Sequence, residues 1–370
     1  MDPAHPSATA GRFVIKPAWG VSLAGLAALT GLLLLPLPAA SKISLGSLIF
    51  LGLFLFWLAR VPDRIFRYFL ALPSFLVMVV VTVVPIAFLI WVSVHAVTIL
   101  NFRRHWPFAG AVNYLNLLTQ DPLFLPSLIR SLELLVFGIL LQLGIGLALA
   151  LLCHRQFRFK NLVNTILLLP VMTNSVVIGM LWKYMLNFYN GFVNLGLQRI
   201  GLPAQPWLTN EGLPLIRDLP AIGPWLVHKL NFNYAFLSII LTNTWQWAPM
   251  VFLLLLAGLS SLPEEPFEAA KVDGATAWQT LRHLTLPMLK PVIAVTIVIR
   301  GIDIMKTFGM IWALFGNAPI TSTLNIHIHT VGLSIHNYGA SSALSLIVAG
   351  ITILIYLLFQ RFFVARGERG

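Results

Sequence analysis

The chain has 370 residues, of which 58% are hydrophobic and 10% are charged, and its formal net charge at pH 7 is +12. Soluble domains carry roughly 25% charged residues, so lipid must surround most of this chain, and a cytosolic enzyme is excluded. The single cysteine, Cys153, excludes an internal disulfide framework and a cysteine-based metal cluster. The basic excess indicates loop charges near the cytoplasmic leaflet and does not point to nucleic acid.

Apolar stretches recur along the chain, and a transmembrane helix needs about 20 mostly apolar residues. No stretch alternates with the period of two that is typical of outer-membrane barrels, so the sequence predicts an all-α, polytopic membrane helical bundle. The eight predicted spans are, in chain order, residues 19–40, 43–59, 69–94, 127–152, 162–185, 235–261, 292–315 and 338–360.

An even number of spans places both termini on the same side of the membrane. Most Lys and Arg side chains fall in loops on that side, which predicts cytoplasmic termini in a bacterial inner membrane. The first apolar stretch could instead be a signal peptide, but it exceeds the usual core of roughly 7–15 residues, which favours a retained helix. We predict a two-helix hairpin at 1–65 and the main membrane domain at 66–370.

Four of the 12 acidic residues fall in the predicted cytoplasmic loop between the sixth and seventh spans, and these are Glu264, Glu265, Glu268 and Asp273. Glutamates around Pro266 are typical of a helix start, and Gly274 interrupts that helix. Thr276 can cap a second short helix, which Pro287 would end.

The second short helix has an apolar side, with Ala277, Leu281 and Leu284 at helical spacing and Trp278 beside them. Such a helix either rests on the bilayer surface or enters a groove on a soluble protein. The pattern alone leaves both possibilities open, although the glycine corner and the paired alanines at 269–270 favour a protein partner.

Residues 268–291, which read EAAKVDGATAWQTLRHLTLPMLKP, resemble the EAA loop of ABC-importer permeases. This form of the loop is similar to the one found in the carbohydrate-uptake family, which includes the maltose and glycerol-phosphate transporters. Leu281 stands where the family often has phenylalanine. The resemblance covers about 66–365 and includes the first external loop at 108–124, whereas 212–232 looks like an insertion and the hairpin lies outside the six-helix core.

The resemblance implies a permease subunit that forms half of the pathway of an ATP-driven importer for a sugar, a polyol or a related glycerol derivative. Implied partners are a second permease subunit, two ATPase subunits, an extracytoplasmic solute-binding protein and the lipid bilayer. The loop at 263–291 would couple to the ATPases, and the matching positions are Glu268, Ala269, Ala270, Asp273, Gly274, Leu281 and Pro287.

No glycine is followed by lysine, so the chain lacks a Walker A loop. ATP and Mg²⁺ are therefore expected on the ATPase subunits, and no catalytic residue, cofactor or metal is expected in this chain.

The seventh predicted span contains Arg300, Asp303 and Lys306. A charge near the centre of a spanning helix costs at least about 2.5–3.5 kcal/mol, so these groups need partners or a polar cavity. Arg300, Asp303 and Thr307 would share one helix face, with Lys306 at its edge. That face either pins helices together through an internal network or lines the translocation path.

In sugar-importing members of the family that the chain resembles, this stretch and a second one in the sixth span hold the substrate. The pathway positions carried over are Gln246, Trp247, Met250, Arg300, Asp303, Ile304 and Thr307. An aromatic ring can stack on a sugar face while polar groups bond its hydroxyls. Trp245 and Trp247 could instead anchor the span at the interface, but Asn243 and Gln246 favour a polar cavity.

Near the outer end of the fourth span, Arg130 and Glu133 are expected to pair or to reach the membrane interface. The alternative function is an ion-gradient-driven secondary transporter or channel. It would explain the buried charges but leaves the loop at 263–291 without a role.

Overall fold

The computed structural model describes residues 19–34, 36, 38–58, 63–154, 158–220 and 222–361. Within these ranges the regular structure consists of helices, with three isolated β-bridges and no strand. The expectation of an all-α membrane protein is confirmed. By its internal contacts the chain divides into two compact units, residues 1–87 and residues 88–370.

The N-terminal unit contains a helical hairpin of α1 (Trp19–Leu34) and α2 (Ala39–Leu58). Gly25 of α1 lies so close to Leu53 of α2 that a Cβ atom at this position would clash. The prediction of one span at 19–40 is too long, because Pro36 and Pro38 lie between the helices and prolines do not continue a helix. The predicted domain boundary after residue 65 stays a prediction.

Helix α3 (Asp63–Ser93) contains the junction between the two units, and the larger unit continues after it. Its helices are α4 (Val112–Thr119), α5 (Phe124–His154), α6 (Lys160–Met172), α7 (Ser175–Met185), α8 (Phe192–Arg199), α9 (Pro214–Arg217), α10 (Gly223–Lys229), α11 (Tyr234–Ser260), α12 (Glu265–Val272), α13 (Ala277–Thr280), α14 (Leu286–Met305), α15 (Gly309–Phe315), α16 (Leu324–His329) and α17 (Tyr338–Phe359).

Four helices in the described ranges are long and apolar enough to cross a membrane: α3 from Leu70 onwards, α5, α11 and α17. A fifth span results if α6 and α7, which meet at a bend of 99°, count as one. The predicted number of eight is not confirmed. The predicted span at 162–185 consists of two helices in the structure, because Asn174 starts a new helix by accepting a hydrogen bond from the N–H of Val176.

The seventh predicted span is also broken, since α14 ends at Met305 and α15 begins only at Gly309. The amide of Asn325 donates to the carbonyl of Met305 at 2.6 Å and so satisfies one of the free carbonyls at this end. At its other end α14 continues from α13 through a π-helical turn, Leu281–Thr285.

Pro287 does not end the second short helix, contrary to the prediction. It lies in the first turn of α14, where its missing N–H would have had no partner within the helix. The chain therefore remains helical from α13 to the end of α14.

Helices α5 and α11 form the largest packed pair of the main unit. Gly146 allows their close approach, because a Cβ there would lie 2.6 Å from a methyl group of Val251 and 3.0 Å from the backbone nitrogen of Phe252. Small residues at helix contacts are the usual means of packing in lipid, where burial of apolar surface drives little association. This pair carries the polar residues described next.

Candidate functional site

A polar cavity of about 250 Å³ lies among α7, α11 and the break between α14 and α15. Three separate elements supply its walls, so it exists only when the bundle is packed. Its lining residues are Ser175, Asn243, Gln246, Trp247, Asp303, Lys306, Thr307, Phe308, Gly309 and Met310.

The α11 wall carries Asn243, Gln246 and Trp247 at spacings of three and four residues, which places them on one helix face. The Gln246 side chain donates to the Ser175 hydroxyl at 3.0 Å and to the Thr173 carbonyl at 3.3 Å. Both acceptors lie where α6 and α7 bend. Gln246 thus satisfies backbone and side-chain groups that the bend leaves free and fixes the bend against α11.

Two buried amide atoms in this wall have no hydrogen-bond partner, the Asn243 nitrogen and the Gln246 oxygen. Both residues are almost completely buried. A buried polar group without a partner costs about 1–3 kcal/mol, so this wall holds one unsatisfied donor and one unsatisfied acceptor. A hydroxyl group can both donate and accept, and a polyhydroxylated ligand therefore suits this pair.

Arg300 of α14 is 2% exposed and has a partner on three sides. Its Nε donates to the Gln142 side-chain oxygen at 3.0 Å, and its Nη1 lies 3.0 Å from Asp303 Oδ2. Its guanidinium carbon lies 4.4 Å from the Trp247 ring centroid. Such a paired and stacked guanidinium compensates much of its desolvation.

Gln142 of α5 connects this group to α11, because its nitrogen donates to Asn243 Oδ1 at 2.8 Å. The resulting chain, Arg300 to Gln142 to Asn243, joins three helices behind the cavity. Arg300 therefore belongs to an internal network, as one interpretation of the charged stretch expects, while Asp303 lines the cavity, and a role of this face in the translocation path stays a prediction.

The structure brings together most of the residues expected in the pathway. Gln246, Trp247, Asp303 and Thr307 line the cavity, and Arg300 lies directly behind Trp247. The expectation that Thr307 continues a helix face is wrong, because α14 ends at Met305; Thr307 reaches the cavity from the break instead.

The other two expected pathway residues do not line this cavity. Ile304 is buried in the hydrophobic core, and Met250 is partly buried on α11. The roles of all seven residues in transport stay predictions.

A second cavity of about 360 Å³ adjoins the first, and Phe308 lines both. Phe308 stacks on Trp312 with ring centroids 5.9 Å apart and lies 5.2 Å from the His329 ring. The second cavity is lined by Phe308, Asn325, Ile328, His329, Gly332, Leu333, Tyr338, Ser341 and Ser342. An aromatic group thus separates two partly polar spaces.

The loop at 263–291 has the two short helices that the sequence predicts, α12 and α13, on either side of Gly274. Gly274 has a φ of +72°, a conformation that disfavours residues with a Cβ. Thr276 caps α13 in a reciprocal arrangement with Gln279, so the expected cap is confirmed.

No residue of α12 or α13 is buried. Val272 is 88% exposed and Trp278 is 66% exposed, which is unusual for apolar side chains in a loop that also carries glutamates. Of the expected coupling residues, the exposed ones are Glu268, Ala269, Asp273, Gly274 and Pro287, and the partly buried ones are Ala270 and Leu281. The loop therefore presents a mixed apolar and acidic surface.

Near the first residues of α5, Arg130 and Glu133 do not form an ion pair with each other. Both form a hydrogen bond with Asn231. Asn231 accepts from Arg130 Nε at 3.2 Å and donates to Glu133 Oε2 at 2.8 Å. Arg130 also donates to the carbonyls of Pro319 and Ser322. Asn231, with a φ of +49°, thereby fastens the external segment before α11 to the bundle.

Sequence reasoning missed Gln142, Ser175 and Asn231. Gln142 gave a signal, because it is an amide in the middle of an otherwise apolar predicted span, and such residues face the bundle interior. Ser175 and Asn231 gave none, since their roles depend on a helix bend and on a contact between residues about 100 positions apart.

Comparison with known proteins gives a family match over the part of the chain that contains the cavity and the loop. The model of the family described as "binding-protein-dependent transport system inner membrane component" matches residues 142–366. This range is more than half of the chain and includes α11, α12, α13 and α14.

Individual relatives extend the similarity towards the N-terminus. The trehalose/maltose transport system permease protein MalF of Thermococcus litoralis is 27% identical over 299 residues, 80% of this chain and 93% of MalF. The trehalose transport system permease protein SugA of Mycobacterium tuberculosis is 29% identical over 313 residues, 84% of this chain and 93% of SugA.

A solved structure shares the fold. It is the crystal structure of a bacterial ABC transporter involved in the import of the acidic polysaccharide alginate, and one of its chains superimposes with a TM-score of 0.66 at 24% identity. The superposition covers 82% of this chain and 96% of that chain.

Proposed function

The chain belongs to the family of binding-protein-dependent transport system inner membrane components, and on this basis we propose that it forms half of the translocation pathway of an ATP-driven importer for a sugar or a related polyol or glycerol derivative. It is a multi-pass membrane subunit. Both termini lie on the cytoplasmic side in this proposal, as the distribution of Lys and Arg residues favours.

The observation that carries the proposal is the polar cavity within the bundle. It combines an aromatic ring, Trp247, with an unpartnered amide donor on Asn243 and an unpartnered amide acceptor on Gln246. A sugar ring presents an apolar C–H face and several hydroxyls, and these match the ring and the two amide atoms. The relatives MalF and SugA are permease proteins of trehalose/maltose and trehalose transport systems, which supports a saccharide substrate.

The exposed loop supports docking to ATPase subunits. Its apolar side chains Val272 and Trp278 are open for contact, and the Gly274 corner sets the angle between α12 and α13. These features fit a shaped groove on a soluble partner better than a flat lipid surface. The remaining partners would be a second permease subunit, to complete the pathway, and a binding protein that delivers substrate.

The mechanism follows from the continuous helical path between loop and cavity. From Ala277 to Arg300 the chain is helical throughout, a length of roughly 35 Å at 1.5 Å per residue. Closure of the ATPase dimer on ATP would displace the loop and, with it, the end of α14 that carries Arg300 and Asp303. ATP binding would thus bias the bundle between outward-facing and inward-facing states.

The test is ATP-dependent uptake of radiolabelled saccharides into proteoliposomes containing the assembled importer and its binding protein. Uptake that needs ATP and the binding protein supports the proposal. Uptake that persists without ATP and follows an imposed ion gradient would establish the secondary-transporter alternative instead.

A further inference from the structure

Lys306 occupies a special place at the cavity. It directly follows Met305, the last residue of α14, it is exposed, and it lines both the polar cavity and a neighbouring, mostly apolar groove of about 650 Å³. The groove side offers it apolar residues such as Ile302, Met305 and Val348 and neutral polar ones such as Asn325 and Ser345, and none of these carries a negative charge.

The charges around the cavity do not balance. Asp303 pairs with Arg300 at 3.0 Å, and this pair is neutral as a unit. Within the part of the chain that the structure describes, no carboxylate forms an ion pair with Lys306. Glu133, the other acidic residue on a spanning helix, is bonded to Asn231 instead. The cavity with its supporting network therefore carries one uncompensated positive charge.

A charge in a membrane-embedded cavity requires a counter-charge or ample water. The C-terminus of α14 supplies only a partial negative charge, roughly half of an elementary charge. The other residues that line the cavity at this end are Thr307, Phe308, Gly309 and Met310, and none of them carries a negative charge. A ligand that brings its own negative charge would complete the site.

We propose that this cavity selects saccharides that carry one anionic group, and that Lys306 is the residue that recognises this group. The inference rests on the proposed function and narrows its substrate class. The carboxylate of a uronic acid, a sulfonate or a phosphate would accept hydrogen bonds from the Lys306 ammonium and from the free nitrogen of Asn243. The sugar hydroxyls would donate to Gln246, and the ring would lie along Trp247.

The size of the cavity fits a single sugar ring. At about 250 Å³ it is smaller than the roughly 300–1,000 Å³ of pockets for drug-sized ligands. One charged ring of a longer saccharide would therefore occupy it at a time.

The experiment compares matched sugar pairs in proteoliposomes that contain the complete importer with its binding protein. Each pair has a neutral sugar and the same sugar with a carboxylate, a sulfonate or a phosphate at carbon 6, in the gluco, manno and galacto series. The measured quantity is the ratio of anionic to neutral uptake at low concentration. Wild type is compared with Lys306→Gln and Lys306→Arg, and Lys183→Gln, an exposed lysine in the last turn of α7, is the matched control.

We expect wild type to favour the anionic member of at least one pair, and Lys306→Gln to reduce the ratio roughly ten- to a hundredfold, as loss of a hydrogen bond to a charged group implies. Lys306→Arg should retain most of the preference, and Lys183→Gln all of it. The binding protein is the same in every sample, so its own selectivity cancels between variants.

The inference is overturned if wild type favours the neutral sugars, or if Lys306→Gln leaves the ratio unchanged. In either case ATP-dependent saccharide uptake would still support the proposed function. If no saccharide of any pair is taken up with ATP, the proposed function itself fails. The three anionic series distinguish which acidic group the site accepts.

Discussion

The guanidinium of Arg300 lies on the ring of Trp247, with 4.4 Å between its central carbon and the ring centroid. One face of the indole is therefore covered by a protein cation, and only the rest of the ring can meet a substrate. A cation over the ring also stabilises the side chain in this orientation. The two residues come from different helices, so the contact fixes α14 against α11 at the level of the cavity.

We expect Arg300→Met to destabilise the importer. The change removes the cation from Trp247 and leaves Asp303 without its counter-charge. Removing one partner of a buried ion pair costs about 3–5 kcal/mol, and the partial exposure of Asp303 places the expected loss at about 3 kcal/mol or less. The measurement is thermal unfolding of the purified complex, with Arg300→Lys and the exposed Lys183→Met for comparison. Equal melting temperatures for Arg300→Met and wild type would contradict the structural role.

We expect Trp247→Ala to weaken substrate uptake while the complex still assembles. Aromatic contacts contribute about 0.5–1.5 kcal/mol beyond burial, which corresponds to a roughly two- to tenfold higher concentration for half-maximal uptake. Asp303→Ala should alter uptake or substrate preference as well, because its carboxylate faces the cavity. Trp225→Ala, at an exposed tryptophan of α10, serves as the control. Unchanged uptake kinetics for both variants across several sugars would count against the pathway assignment.

We expect Gly274→Trp to abolish transport by blocking the docking surface. Gly274→Ala separates backbone strain from blocking of the surface. A Cβ at this position meets no atom within 4 Å, so only the positive φ is penalised, by about 1–2 kcal/mol. Alanine should therefore have a mild effect and tryptophan a severe one. The measurements are co-purification of the ATPase subunits and ATP hydrolysis by the complex.

Charge reversal tests the acidic part of the same loop. Glu268→Lys and Asp273→Lys should weaken ATPase co-purification or uncouple hydrolysis from uptake, whereas Glu211→Lys, in an exposed external loop, should not. A well-assembled Glu268→Lys complex with normal transport would disprove the coupling role of the loop.

We expect Asn231→Gly to destabilise the external face of the bundle. The variant tolerates the φ of +49° but leaves Arg130 and Glu133 without their shared partner, at a cost of about 1–3 kcal/mol. Asn231→Ala should lose the same hydrogen bonds and also suffer backbone strain, so its melting temperature should be the lower of the two. If both variants melt like wild type, Asn231 does not hold the external segment in place.

Local signals in the sequence predicted the local features of the fold. Thr276 caps α13 as expected, because a cap depends only on residues three positions apart. The break after Met305 was not foreseen, since apolar residues resume directly after Lys306 and Thr307 and the group that satisfies the free carbonyl, Asn325, lies 20 residues later.

The residues of the site could be predicted only in part, because some of them come together through contacts between distant parts of the chain. Trp247 and Asp303 were expected from a resemblance in sequence, whereas Gln142 joins Arg300 across 158 positions of the chain. A contact over such a distance has no periodic or local signature. Ile304 matches the family pattern by position, but its side chain is buried in the hydrophobic core, which the sequence did not indicate.

The unbroken run of helix from Ala277 to Met305 ties the angular position of Arg300 and Asp303 to that of α13. A single alanine inserted near Ala294 would leave both ends chemically intact but rotate Arg300 and Asp303 by about 100°, away from Trp247. Insertion of seven residues, about two full turns, would restore the angular position of Arg300 and Asp303 and only lengthen the helix. The rotational position of residues around this helix would then be what relates a movement of the loop at 263–291 to a change at the cavity.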